Sequence, residues 1–61
     1  MIRRGDRISI LPEWQDQGDD QIEYIAIDDE EKGRVSIQAQ LGLPINPIHM
    51  VATYMIRKEA P

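Results

Sequence analysis

Two short stretches hold most of the groups that could do chemistry. "PEWQDQGDD" (12–20) sets Glu13, Asp16, Asp19 and Asp20 around Trp14, the only tryptophan. "DDEEKG" (28–33) carries Asp28, Asp29, Glu30 and Glu31 in a row. A metal is the first chemistry to weigh. Calcium takes about six to eight oxygen ligands in a defined order, and neither stretch has that spacing. Both read instead as solvated turns, in which Asp serves the local backbone. The second chemistry is recognition. Trp offers a large contact area and a ring face that attracts cations. Carboxylates beside it favour a basic partner and oppose an acidic one.

Catalysis finds little support. His49 is the only histidine and follows Pro47 and Ile48, where it reads as a surface or capping residue. Ser9, Ser36 and Thr53 are the hydroxyl candidates besides the tyrosines, and neither a nucleophile elbow nor a glycine-rich phosphate loop accompanies them. The absence of cysteine rules out disulfides and thiolate metal sites. The expectation is a protein that is not an enzyme and needs no metal or cofactor.

The charges are segregated. Of the eleven acidic residues, nine lie between Glu13 and Glu31; of the seven basic ones, five lie near the ends, at Arg3, Arg4, Arg7, Arg57 and Lys58. A fold that joins the ends would therefore have a basic pole beside an acidic flank. Such a pole could attract phosphates, and nucleic-acid binding through it would weaken with salt. The net charge of −4 and the acidic middle oppose a duplex elsewhere on the molecule. No run approaches the ~20 apolar residues that span a bilayer, and the basic start "MIRRGDRISIL" lacks the long apolar stretch of a signal peptide. The expectation is a cytoplasmic protein without a membrane partner.

Sixty-one residues allow one domain, 1–61. A chain this short needs an efficient core or a second subunit. Ten isoleucines and two valines against three leucines favour a pleated sheet. "GDRISIL" (5–11) opens with a turn and then puts Ile8 and Ile10 on one face of a strand. "QIEYIAID" (21–28) is a second strand with two apolar faces, as expected of one bent across two layers or covered by a partner. Gly33 closes a polar turn. "RVSIQA" (34–39) then alternates cleanly, with Val35, Ile37 and Ala39 inward, and makes a hairpin with the strand before it. Gly42, Pro44 and Pro47 mark the connection that follows.

The last segment, "IHMVATYMIRKEA", fits more than one structure. As a helix it would have Asn46 as N-cap, Pro47 in the first turn, and Ile48, Val51, Ala52, Met55 and Ile56 on one face. As a strand, Ile48, Met50, Ala52, Tyr54 and Ile56 alternate. A mixed form has one tight turn at Pro47–Met50 and then a strand from Val51 to Ile56. Propensity favours strand over helix, and the mixed form is the one adopted here.

This layout, with "GDRISI" opening the first strand, "KGRVSI" leading into the third and "INPIHMV" before the last, resembles an SH3-like small barrel. The resemblance covers most of the chain and implies an all-β fold of about five strands with a tight turn before the last one. The alternative is an α+β fold, a three-stranded sheet with one C-terminal helix at 47–58. KOW modules of translation factors share the "GD" turn but carry further glycines. Type II dihydrofolate reductases, also SH3-like, share "GDR" but line a tetramer pore with a motif that "VSIQAQ" does not copy. The resemblance thus implies a fold and no functional residue.

In such barrels the long first loop flanks a shallow groove. The expected function is a non-enzymatic interaction module that binds a protein or peptide through that loop, with Trp14, Glu13, Asp16, Tyr24 and Tyr54 in contact. Trp14 has a second reading, as a lid folded over one open end of the barrel. The alternative function is nucleic-acid association through Arg3, Arg4, Arg7, Arg57 and Lys58. A homodimer is the third partner reading, drawn from the apolar faces of 22–27, the apolar row of 48–56 and the exposed edges of small sheets.

Overall fold

The computed structural model describes residues 1–15 and 22–59. Among them five strands form one antiparallel sheet: β1 (Arg7–Ile10), β2 (Tyr24–Ala26), β3 (Arg34–Ala39), β4 (Ile48–Ala52) and β5 (Ile56–Lys58). The spatial order is β4-β3-β2-β1-β5. The two outer strands, β4 and β5, are joined by a single 3₁₀ turn at Thr53–Met55. So short a link brings the C-terminal end of β4 close to the N-terminal end of β5, although the two strands stand at opposite ends of the order. The result is a small all-β domain compatible with a barrel-like fold.

Each element has a local cause. The first turn spans Arg3–Asp6, where the Asp6 N–H donates to the Arg3 carbonyl at 3.0 Å and Gly5 sits at φ 93°. A third turn residue at positive φ is the type II geometry that glycine permits. The Asp6 carboxylate accepts the Arg3 N–H at 2.8 Å and pairs with Lys58 Nζ at 3.4 Å. The backbone donor is the main cause that holds the Asp6 carboxyl below the usual carboxylate range, and Lys58 adds to it. A depressed carboxyl stabilises the fold above its unfolded value and loses that contribution as pH falls through the folded one. Loss of stability is therefore expected below about pH 4. Asp6→Asn should flatten that loss in urea melts recorded across the acid range.

The β2–β3 hairpin closes on Lys32 and Gly33, at φ 54° and 75°, between the bridged pair Glu31 and Arg34. Two central residues at positive φ make a type I′ turn, whose twist matches that of the strands. Gly33 takes this conformation freely, whereas Lys32 does not. Lys32→Asn installs the preferred Asn-Gly pair. It should stabilise the domain by about 0.5–1 kcal/mol, a rise of roughly 4 °C in a thermal melt.

The core comprises Ile2, Ile8, Tyr24, Ala26, Val35, Ile37, Ala39 and Ile56, with Ile10, Ile22, Val51 and Met55 packed against it. The clean alternation expected of residues 34–39 is present, since Val35, Ile37 and Ala39 are buried. Strand β2 is shorter than the 21–28 expected, and its two apolar faces separate: Tyr24 and Ala26 point inward, while Ile25 lies opposite Arg7 and Gln38 on the outer face.

The alternative helix at 47–58 does not form. A tight turn precedes the last strand as expected, but it lies at Thr53–Met55 and not at Pro47–Met50, because β4 occupies Ile48–Ala52. The phase also differs from simple apolar alternation. Ile37 pairs with His49 and Val35 with Val51, so His49 and Val51 share the inner face, while Ile48, Met50 and Ala52 point outward. The non-local hydrogen bonds Ala39 N–H to Pro47 O (3.0 Å) and Thr53 N–H to Gly33 O (2.9 Å) pin this register. A slip of one residue would exchange the two faces. The 3₁₀ turn then resets the phase and returns Ile56 to the core.

Candidate interaction surface

Trp14 is positioned by the chain on either side of it. Pro12 starts a 3₁₀ turn at Pro12–Trp14, where its fixed φ suits the first position. The Trp14 N–H donates to Leu11 O at 2.8 Å, and the Gln15 side chain donates to Ile10 O at 2.7 Å. Leu11 N–H donates in turn to Met55 O at 2.9 Å, which docks this turn on the one before β5. Two 3₁₀ turns from distant parts of the chain are thereby set side by side.

Each turn presents an aromatic ring. The Trp14 and Tyr54 centroids lie 5.7 Å apart at 71°, edge to face, a favoured geometry for such pairs. Both rings stay open to solvent, with Trp14 45% and Tyr54 68% exposed. Trp14 also borders a cleft of about 410 Å³ whose lining includes Ile22, Tyr24, Leu41, His49 and Val51. The indole thus contributes to the wall of a cavity and leaves nearly half of its surface accessible.

The other candidates separate in space. Glu13 is exposed in the same turn as Trp14. Asp16 lies outside the described residues. Tyr24 is only 5% exposed and belongs to the core; it contributes to the cleft's lining, with its ring 6.4 Å from that of His49. Pairing of β1 with β5 brings the basic ends together, and Ser9 lies opposite Arg57, two residue pairs from Arg7. That pole is not purely basic. Asp6 is ion-paired to Lys58, and the Arg4 N–H donates to Asp29 Oδ1 at 2.9 Å. The acidic turn of residues 28–31 is therefore tied to the N-terminal segment, with Glu30 accepting from the Ile2 N–H and donating its own N–H to Ile2 O. Among the described residues no group of three or more His, Asp or Glu converges as a metal site. None of their helices is long and apolar enough to cross a membrane.

One feature escaped sequence reasoning, and a second was reached only in part. Ile2 is buried, held by the bonds to Glu30, and no periodic pattern flags an isolated residue before the first turn. The Trp14–Tyr54 pair joins residues forty positions apart. Its only sequence signal was that both are aromatic.

The chain matches no family model, and no curated protein or solved structure matches it significantly. The class that fold and surface define is architectural: a small all-β domain carrying an exposed aromatic pair.

Proposed function

We propose that this chain is a non-enzymatic interaction module that binds a peptide bearing apolar and basic residues. The strand order, the long first connection and the 3₁₀ turn before β5 support reading the fold as an SH3-like small barrel. The observation that carries the function is the solvent-exposed Trp14–Tyr54 pair at the edge of an apolar cleft. Tryptophan and tyrosine commonly dominate binding energy because they bury much area with few rotatable bonds. Glu13 beside the indole adds attraction for a cationic side chain.

Trp14 is the sole tryptophan, so its fluorescence reports the site directly. Titration with short synthetic peptides that mix Arg or Lys with Pro, Leu or Ile should shift or quench the emission. Peptides of the same apolar content with Asp or Glu should not. Equal response to both sets, or to neither, would remove the reading. A salt-sensitive response to oligonucleotides alone would favour the second reading, in which Arg7 and Arg57 on adjoining strands act as the phosphate-binding pole.

A further inference from the structure

Strand β4 is an edge, and the register identifies which of its backbone groups face away from the sheet. Ala39 N–H donates to Pro47 O, and Thr53 N–H donates to Gly33 O. In an antiparallel ladder hydrogen-bonded and non-hydrogen-bonded pairs alternate. His49 and Val51 therefore direct their N–H and C=O groups toward β3, and Ile48, Met50 and Ala52 direct theirs outward. The side chains of these three residues also lie on the outer face, where Ile48 is 57% and Met50 68% exposed.

Such an edge normally carries a device against pairing: a lysine, an inward charge, a bulge or a proline within the strand. Here none of these is present in Ile48–Ala52. Residues 35–56 contain no Asp, Glu, Lys or Arg, although nearly a third of the whole chain is charged. All of the net charge of −4 resides elsewhere.

We propose that β4 pairs with β4 of a second copy of this chain, antiparallel and two-fold about Met50. The outward groups are self-complementary in this register. Met50 exchanges both of its bonds with Met50 of the second copy, and Ile48 exchanges both with the second copy's Ala52. Reading across the outer face, Ser36 and Met50 meet their own equivalents, and Gln38 and Ile48 meet Ala52 and Arg34. Within β3 and β4 Arg34 is the nearest charge, and its two copies fall in different rows; Asp28, Asp29 and Glu31 of the preceding turn border the same surface hollow as Ser36 and Met50. Another protein's strand could use the same hydrogen bonds. A second copy is favoured because the edge matches itself in bonding and in apolar side chains, and because the strand itself carries no Asp, Glu, Lys or Arg. An edge of five residues buries less than the standard interface of about 1,200–2,000 Å². The dissociation constant is accordingly on the order of micromolar or weaker.

The test is sedimentation of the full chain at increasing concentration, with two variants. The wild type should pass from monomer to dimer. Met50→Lys places two ammonium groups across the axis and should lower the association constant at least roughly tenfold, while the dichroism spectrum stays that of the parent because Met50 is exposed. Met50→Cys gives a single thiol in a chain that has none. Across a hydrogen-bonded pair the Cα atoms are about 5.5 Å apart, which suits a disulfide. Mild oxidation should cross-link it far faster than Arg57→Cys on the opposite edge. A strict monomer up to about millimolar concentration would overturn the proposal. So would a dimer indifferent to Met50→Lys, or cross-linking no faster than at Arg57.

Discussion

Ile37→Ala is expected to remove roughly half of the stability of this domain, about 2–5 kcal/mol. Ile37 is 0% exposed and sits in the central part of the sheet, opposite Ala26 on one side and His49 on the other. Truncating a buried isoleucine to alanine costs about 2–5 kcal/mol, through lost burial and the cavity left behind. A domain of this length has only roughly 3–9 kcal/mol in total, so one such loss removes much of its margin. Ile37→Val removes a single methyl group, costs about 0.5–1.5 kcal/mol, and should leave a cooperative melt at lower temperature. The control is Ile48→Ala, measured in dilute solution. Ile48 faces outward on β4, and an exposed substitution usually changes stability by about 0.5 kcal/mol or less. Equal losses at 37 and 48 in urea melts would mean that β4 is in the opposite phase.

The second large effect is on binding. Trp14→Ala should reduce affinity for a basic, apolar peptide by at least about thirtyfold, the scale of a hot-spot residue that contributes about 2 kcal/mol or more. Calorimetry suits this variant, since the fluorescent reporter is gone. The domain should remain folded, because Trp14 lies outside the core cluster and meets Tyr54 by an edge contact. Tyr54→Ala keeps the indole and should weaken the same peptide while moving the emission toward that of a freer ring. The pattern separates the two roles of Trp14. Loss of binding with a native dichroism spectrum assigns it to contact; loss of the native spectrum assigns it to closing the cleft over Ile10 and Ile22.

Composition and local pattern were enough for the all-β class. The isoleucine excess, the alternation of residues 34–39 and the glycines at 5 and 33 each act within a few residues, and each appears where local physics puts it. A period of two states that a strand has two faces, and it does not state which face is buried. For β3 the answer was legible because Arg34, Ser36 and Gln38 are polar on one side only. For β4 both faces are apolar or neutral, so the phase was left to non-local bonds, from the Ala39 N–H to Pro47 and from the Thr53 N–H to Gly33.

The candidate site divides along the same line. Chain chemistry alone singled out Trp14 and its acidic neighbour Glu13, since an indole in a polar turn is conspicuous wherever it lies. Only the folded arrangement placed Tyr54 against it and put Tyr24 in the core. Those positions depend on the docking of one 3₁₀ turn on another through Leu11 and Met55. Short-range preference determines which elements this protein can form. Long-range hydrogen bonding decides which apolar surface is enclosed and which is left for a partner, because pairing energies between distant segments have no counterpart in the neighbourhood of any one residue.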